Sequence, residues 1–403
     1  MNDVNEQTRV APETAAASGP AILQILPRLE QGGTGRGAVD LARHLIERGW
    51  HALVASNGGS AEAELTRCGG RSFRLPAHST NPLVMRANIR RLQRVIRERG
   101  VRLVHAHARA PAWSACYAAR RCNVPFVTTV HGLYRGGRGP LKKRFNAIMA
   151  RGDRVIALSD YVAEHIRRHY GVPEERLRVI RRGIDTRRFD PDAVDRQRVD
   201  ALAEQWRVPP EAKVILVPAR VIRDQGHRIL LEAVARLPRR RFLCLILEGP
   251  DGRAGEIDGL IGSLELGSVA RVAGSCDDLP AALMLADVVA VPTSAASDPL
   301  GRLSVQAQAM GKPVIVTDLG GLGETLMPAA TGWLVEPGDA DALAHALELA
   351  LAMPDEARAR LAVRARRFVT RSFSLERMGD ATMKVYRELL DGLPPDVNEG
   401  PLR

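Results

Sequence analysis

The chain has 403 residues, enough for two ordinary domains, and its 45% hydrophobic and 26% charged residues are those of a soluble globular protein. No apolar run reaches about 18 residues, so no membrane-spanning helix is expected, and the opening MNDVNEQTRVAPETAAASGP has no basic region leading into an apolar core, which argues against a secretory signal. The net charge of +12 suits nucleotides or anionic membrane, while aromatics at 4% and the lack of a stacking motif disfavour nucleic acid.

Residues 1–20 read as a disordered tail. The next stretch alternates strands and helices. Ala21–Leu26 is an apolar strand, and Arg36–Arg48 a helix with Ala38, Leu41, Ala42, Leu45 and Ile46 on one face. Strands follow at His51–Ser56, Leu103–His107, Phe126–Val130, Asp153–Ser159 and Leu177–Ile180. Helices are expected at Asn88–Arg99, which is basic, and at Ala110–Arg121. A polar stretch, Asp185–Trp206, reads as a linker. The pattern then restarts with strands at Lys213–Pro218, Phe242–Leu247, Val269–Ala273 and Asp287–Pro292. Helices are expected at Arg228–Leu237, Gly252–Leu264 and Asp278–Ala286. A helix through Gln306 should stop at Gly311-Lys312-Pro313, followed by the strand Val314–Val316 and, after Gly320-Gly321, a second helix start. Asp339 to Thr370 is helical with a break at Pro354, and Ser374–Leu390 is the final helix.

Strand–helix alternation of this kind implies parallel sheets covered on both faces. The expected fold class is therefore α/β, with two doubly wound domains facing across a cleft. The expected division is 21–195, 196–370, a C-terminal helix 371–391 and a tail 392–403. Ligands of such folds bind beyond the carboxyl ends of the strands.

Several residues stand at such ends. Gly32-Gly33-Thr34-Gly35 lies between the first strand and its helix, where glycine lets backbone amides approach a ligand. His131 follows the strand Phe126–Val130 directly and could bond a sugar or act as an acid or base. His105 and His107 end another strand, where one of them could line the cleft. Arg220, Arg223, Gln225 and His227 precede a helix, where a guanidinium can neutralise a diphosphate without metal. Asp298 precedes the turn Pro299-Leu300-Gly301, and Arg302 and Gln306 follow it. Helix N-termini there would hold a phosphorylated ligand. The segment around 135–144, with Arg135, Arg138, Lys142, Lys143 and Arg144 among Leu133, Tyr134, Leu141 and Phe145, fits an anionic membrane surface. Asp190-Pro191-Asp192 has the form of a metal-binding pair but no strand precedes it, so no metal is expected. The five cysteines form no CxxC pair, which suits reduced thiols in a cytoplasmic setting.

From Ile22 to Leu390 the chain resembles the retaining glycosyltransferases of family 4, which have the GT-B fold. The resemblance rests on the Gly-Gly loop, VTTVHG at 127–132, DRVIALSDYVAEHI at 153–166, RRGIDTRRFDP at 181–191, PARVIRDQGHRILLEA at 218–233 and SDPLGRLSVQAQAMGKPVIVTDLGGLGETL at 297–326. Within that family it looks most like bacterial lipopolysaccharide and envelope polysaccharide enzymes. The resemblance implies a nucleoside-diphosphate sugar as donor, a lipid-linked or saccharide acceptor, no cofactor and a place on the cytoplasmic face of the inner membrane. It implies catalytic roles for His131, Arg220, Gln225 and Asp298. Donor contacts fall to Gly32, Gly33, Arg223, Leu300, Gly301, Arg302 and Gln306. Gln225 stands where the family has lysine, and Asp298 and Gln306 where it has two glutamates. The lost charge at 225 is worth about 1.5–3 kcal/mol in a charged hydrogen bond. The donor site is thus atypical. The alternative is a catalytically impaired GT-B protein that binds a nucleotide sugar or serves as a partner subunit.

Overall fold

The computed structural model describes residues 19–133, 139–218, 226–238, 242–248, 254–293 and 301–391. Two compact units emerge, one of residues 19–182 with 375–391 and one of residues 183–374.

The first unit holds the parallel strands β1 (Ala21–Ile25), β2 (His51–Ser56), β3 (Arg71–Arg74), β4 (Val101–Ala106), β5 (Phe126–Val130), β6 (Arg154–Ala157) and β7 (Leu177–Val179), in the order β3-β2-β1-β4-β5-β6-β7. The central strands are buried on both faces, so they read as nearly unbroken apolar runs. In β1, Leu23 and Ile25 face one core cluster and Ile22 the other. The single polar residue of that strand, Gln24, is fully buried.

The second unit holds β8 (Lys213–Val217), β9 (Phe242–Leu247), β10 (Ala270–Gly274), β11 (Val288–Val291), β12 (Val314–Thr317) and β13 (Gly332–Val335), in the order β10-β9-β8-β11-β12-β13. Its ladders are also parallel, and its core again lies on the two sheet faces, with Ile215 and Val217 on one side and Val214 and Leu216 on the other. Both units are therefore doubly wound α/β structures.

The units divide at Arg182/Gly183, earlier than the 195/196 expected from the polar stretch. Ile184 and Phe189 enter the core of the second unit, and the Ile184 amide donates to the Phe373 carbonyl at 2.7 Å. Part of the supposed linker is a helix, Arg196–Gln205, capped by Asp195 and held by the Arg198–Asp278 pair at 2.7 and 2.8 Å. The second helix start after Gly320-Gly321 is only a single 3-10 turn, Gly323–Thr325. Gly323 is a poor helix former, and Pro328 lacks the amide needed to extend the turn.

The last helix, Leu375–Leu390, packs on the first unit beside the helix Gly33–Glu47. Close approach demands Gly379, since a Cβ there would stand 2.3 Å from the His44 ring. His44 Nε2 meets Asp380 at 3.0 Å, and Tyr386 is fully buried in the sheet-face core.

Candidate active site

In each sheet the strand order reverses beside the unit's first strand, between β1 and β4 and between β8 and β11. Crevices at such switch points are where doubly wound folds take ligands, because the loops leaving the two strands part in opposite directions.

In the first unit, β1 leads to Gly32, the cap of the helix Gly33–Glu47. That helix has no side-chain cap and no acid in its first turn. Its amides and dipole are thus left for an anion. Gly33 has φ of +52°, which glycine adopts without strain, and the space beside Gly32 and Gly33 is open to 4 Å. Gly35 serves packing instead, as a Cβ there would lie 2.2 Å from the Glu30 carbonyl. Arg182 donates to the Gly33 carbonyl at 2.5 Å and fixes the loop.

His131 stands at the end of β5, half-buried, with its Nε2 atom 3.3 Å from His107 Nδ1. His107 Nε2 in turn meets Gln24 Oε1 at 3.0 Å, and Gln24 Nε2 donates to the Ala38 carbonyl at 3.0 Å. His105 is buried beside them and bonds Tyr386 at 2.6 Å and Thr129 at 2.7 Å. Neither histidine of the pair faces a ligand, because both rings are buried and both nitrogens of each are bonded within the protein. His105 bonds the final helix, and His107 backs His131. Burial first, then the His107 ring and the Arg182 guanidinium, holds His131 well below the ordinary imidazole pKa. Burial, then Arg182, pushes His107 down to about 3, and burial, then the neighbouring imidazoles, lowers His105. All three are neutral at pH 7. The Nδ1 atom of His131 is buried with no hydrogen-bond partner.

In the second unit, β11 is followed by Gly301 and the helix Arg302–Ala309. That helix likewise has no side-chain cap and no acid in its first turn. Gly301 has φ of +51°, and a Cβ on it would stand 2.5 Å from Thr325 Cγ2, so both conformation and space require glycine. Arg302 is exposed at the helix start. Gln306, one turn further on, is half-buried, and its Oε1 atom is buried without a partner. Gln308 anchors the helix by donating to the Thr325 carbonyl at 2.6 Å. On the other side of the switch, the helix His227–Arg236 begins on Gly226, where a Cβ would fall 1.4 Å from the Pro292 carbonyl. His227 is buried at the first position of that helix. Arg220, Arg223, Gln225, Asp298 and Leu300 lie outside the described residues.

Asp190 does not read as a metal ligand. It caps the turn Pro191–Ala193 and accepts from Arg366 at 2.7 Å. Among the described residues no cluster of three or more His, Cys, Asp or Glu could hold a metal ion. In the basic segment, Lys142, Lys143 and Arg144 are exposed. Its apolar members Leu133 and Phe145 turn inward, Phe145 onto Trp113 at 6.1 Å. Arg135, Arg138 and Tyr134 lie outside the described residues. Among the described residues no helix is long and apolar enough to cross a membrane.

Two parallel sheets, each opening an uncapped helix beside its switch point, are what the GT-B class of α/β proteins is built from. Residues 31–188 match the family described as Glycosyltransferase Family 4, and residues 199–368 that described as Glycosyl transferases group 1. The D-inositol 3-phosphate glycosyltransferase of Salinispora arenicola is 30% identical over 324 residues, or 74% of this chain and 71% of that protein. The chain belongs to glycosyltransferase family 4. A solved glycosyltransferase from Rickettsia africae is 30% identical with a TM-score of 0.86, over 93% of this chain and 100% of that one. Anabaena HepE, solved with UDP-glucose, shares the fold at 20% identity and a TM-score of 0.76, over 92% of this chain and 100% of that one.

Proposed function

We propose that this glycosyltransferase moves a hexose from a nucleoside-diphosphate sugar to a lipid-linked or saccharide acceptor of the bacterial envelope, with retention at the anomeric carbon. The observation that carries the donor half is Gln306. A buried acceptor without a partner is costly, and a ribose hydroxyl would satisfy it. It stands on a helix whose open N-terminus suits a diphosphate. The nucleotide in HepE supports a uridine donor. Arg220 and the helix dipoles would stabilise the departing diphosphate, with no metal required. Arg223 is the nearest guanidinium in sequence to supplement Gln225. Asp298 would contact the transferred sugar, one methylene short of the usual reach.

The incoming hydroxyl would attack from the face that the diphosphate leaves. His131 would bond the sugar, and the Gly32-Gly33 amides would approach the phosphates. The exposed Lys142, Lys143 and Arg144 would rest on anionic lipid. Each cation contributes about 1 kcal/mol at such a surface, so replacing all three by Gln should weaken binding to phosphatidylglycerol vesicles about a hundredfold.

The deciding experiment incubates the full chain with UDP-, GDP- and ADP-hexoses and either envelope glycolipids or inositol 3-phosphate. Transfer to a glycolipid with the donor's anomeric configuration is expected. Transfer only to inositol 3-phosphate would overturn the acceptor assignment. Inverted product would overturn the retaining mechanism, and neither binding nor turnover with any donor would overturn the reading as a whole.

A further inference from the structure

We propose that Gln24 and His107 are positioning residues that hold His131 in a single tautomer, hydrogen on Nε2 and none on Nδ1, so that His131 meets the sugar only as a hydrogen-bond acceptor. The contact with sugar rests on the function proposed above. The tautomer does not.

The direction of every hydrogen bond follows from one end of the chain. The Ala38 carbonyl can only accept, so the group of Gln24 that faces it at 3.0 Å is the amide nitrogen. Turning the amide over would set oxygen against oxygen. Gln24 therefore offers Oε1 to His107, and His107 Nε2, 3.0 Å away, must carry hydrogen. A neutral imidazole has one such hydrogen, so His107 Nδ1 is bare. It faces His131 Nε2 at 3.3 Å, and that contact needs the hydrogen of His131. His131 Nδ1 is then a bare acceptor, and it is the atom found buried and unpartnered.

Neutrality of the rings rests on their surroundings. The His105 and His107 ring centroids are 4.1 Å apart, those of His107 and His131 5.6 Å, and the Arg182 charge acts on both His107 and His131. An added proton would meet other rings and a guanidinium in a buried place. The remaining polar groups against His105, Thr129 and Tyr386, carry no charge at neutral pH and bond that ring at 2.7 and 2.6 Å.

The consequence is a role by exclusion. With no hydrogen on its unpartnered nitrogen, His131 cannot act as an acid toward the leaving group. It can take a hydroxyl hydrogen, and so selects a sugar with a hydroxyl donor at that point. A donor in which fluorine replaces that hydroxyl should lose as much as one in which hydrogen does, because fluorine offers nothing to donate.

The test is nitrogen NMR of the full chain labelled with 15N-histidine, free of sugar, followed by assays with UDP-glucose and its deoxy and deoxyfluoro forms. His131 should show a protonated Nε2 and an unprotonated Nδ1. The pattern should persist in His107→Asn, whose side-chain oxygen stands near the place of Nδ1, and give way to mixed tautomers in His107→Leu and Gln24→Leu. His107→Leu should lower kcat/KM about tenfold, the worth of one neutral hydrogen bond. Hydrogen on Nδ1 of His131 in the wild-type chain overturns the proposal even if no variant folds. An unchanged tautomer in a folded Gln24→Leu overturns the positioning role. The expected tautomer with no binding of UDP-, GDP- or ADP-hexoses upholds the lock and overturns the donor reading together with the sugar contact.

Discussion

Acid should unfold the first unit early, and His107 allows the effect to be sized. The ring titrates near 6.5 in an unfolded chain and at about 3 when folded. Between those values the unfolded chain binds a proton that the folded one refuses. The stability due to the buried neutral ring is therefore complete above about pH 6.5 and is lost as pH falls toward 3. One such group gives a slope of up to about 1.4 kcal/mol per pH unit, or about 2.5 kcal/mol between pH 6 and 4. His105 and His131 are lowered in the same direction, by burial first, and steepen the loss. Urea unfolding at pH 7, 6, 5 and 4 would measure it. The four tryptophans permit a clean readout, because Trp50 and Trp113 lie in the first unit and Trp206 and Trp333 in the second. With the latter two replaced by Phe, fluorescence reports the first unit alone. His107→Asn does not titrate, so its slope should be flatter by about 1.4 kcal/mol per unit. Equal slopes for wild type and variant would refute a His107 held neutral, and with it the hydrogen-bond directions around His131.

Three further outcomes follow. Gly226→Ala sets a methyl 1.4 Å from the Pro292 carbonyl at φ of +68°, and should destabilise the second unit by more than about 3 kcal/mol in urea. Gln306→Ala should weaken UDP binding in calorimetry by about tenfold or less, whereas Gln306→Glu should tighten it, since a carboxylate accepts more strongly. Lys312, which donates to the Met284 carbonyl at 2.9 Å, is lowered by burial to about 8. The unfolded lysine keeps its proton to about 10.5, so stability of the second unit should rise by about 2 kcal/mol from pH 8 to 10. Lys312→Met should abolish that rise.

The strands were legible because a doubly wound sheet buries both faces. Phe126–Val130, His51–Ser56 and Phe242–Leu247 have the expected bounds. The edge strand β3 has the sequence RSFR, mostly exposed, and carries no such signal. Helix Arg196–Gln205 has no buried residue, so its polar sequence read as linker. Helix Pro82–Glu98 starts six residues before the expected Asn88, because Asn81 caps Leu83 and Pro82 sits at the first position. His131 stood out by following a strand directly, and Gly32, Gly33 and Gly301 by lying in the loops between a strand and the next helix. The relay behind His131 did not, since Gln24 and His107 are 83 residues apart and meet only in the folded sheet. One sign was present: a single glutamine in the apolar run AILQI needs a buried partner.

The first unit begins near residue 19 but takes its last structural piece from 375–390, after the whole second unit. During synthesis, residues 19–182 leave the ribosome without Tyr386 and Met383, so the core around Ile22 and Leu103 stays uncovered on one side and the His105 bond to Tyr386 is missing. The second unit is contiguous from 183 to 374 and has all its pieces sooner. The first unit, although it begins the chain, is therefore the later of the two to have all its pieces. A stop codon near 374 would leave the second unit whole and the first without its last helix, exposed to chaperones and proteases.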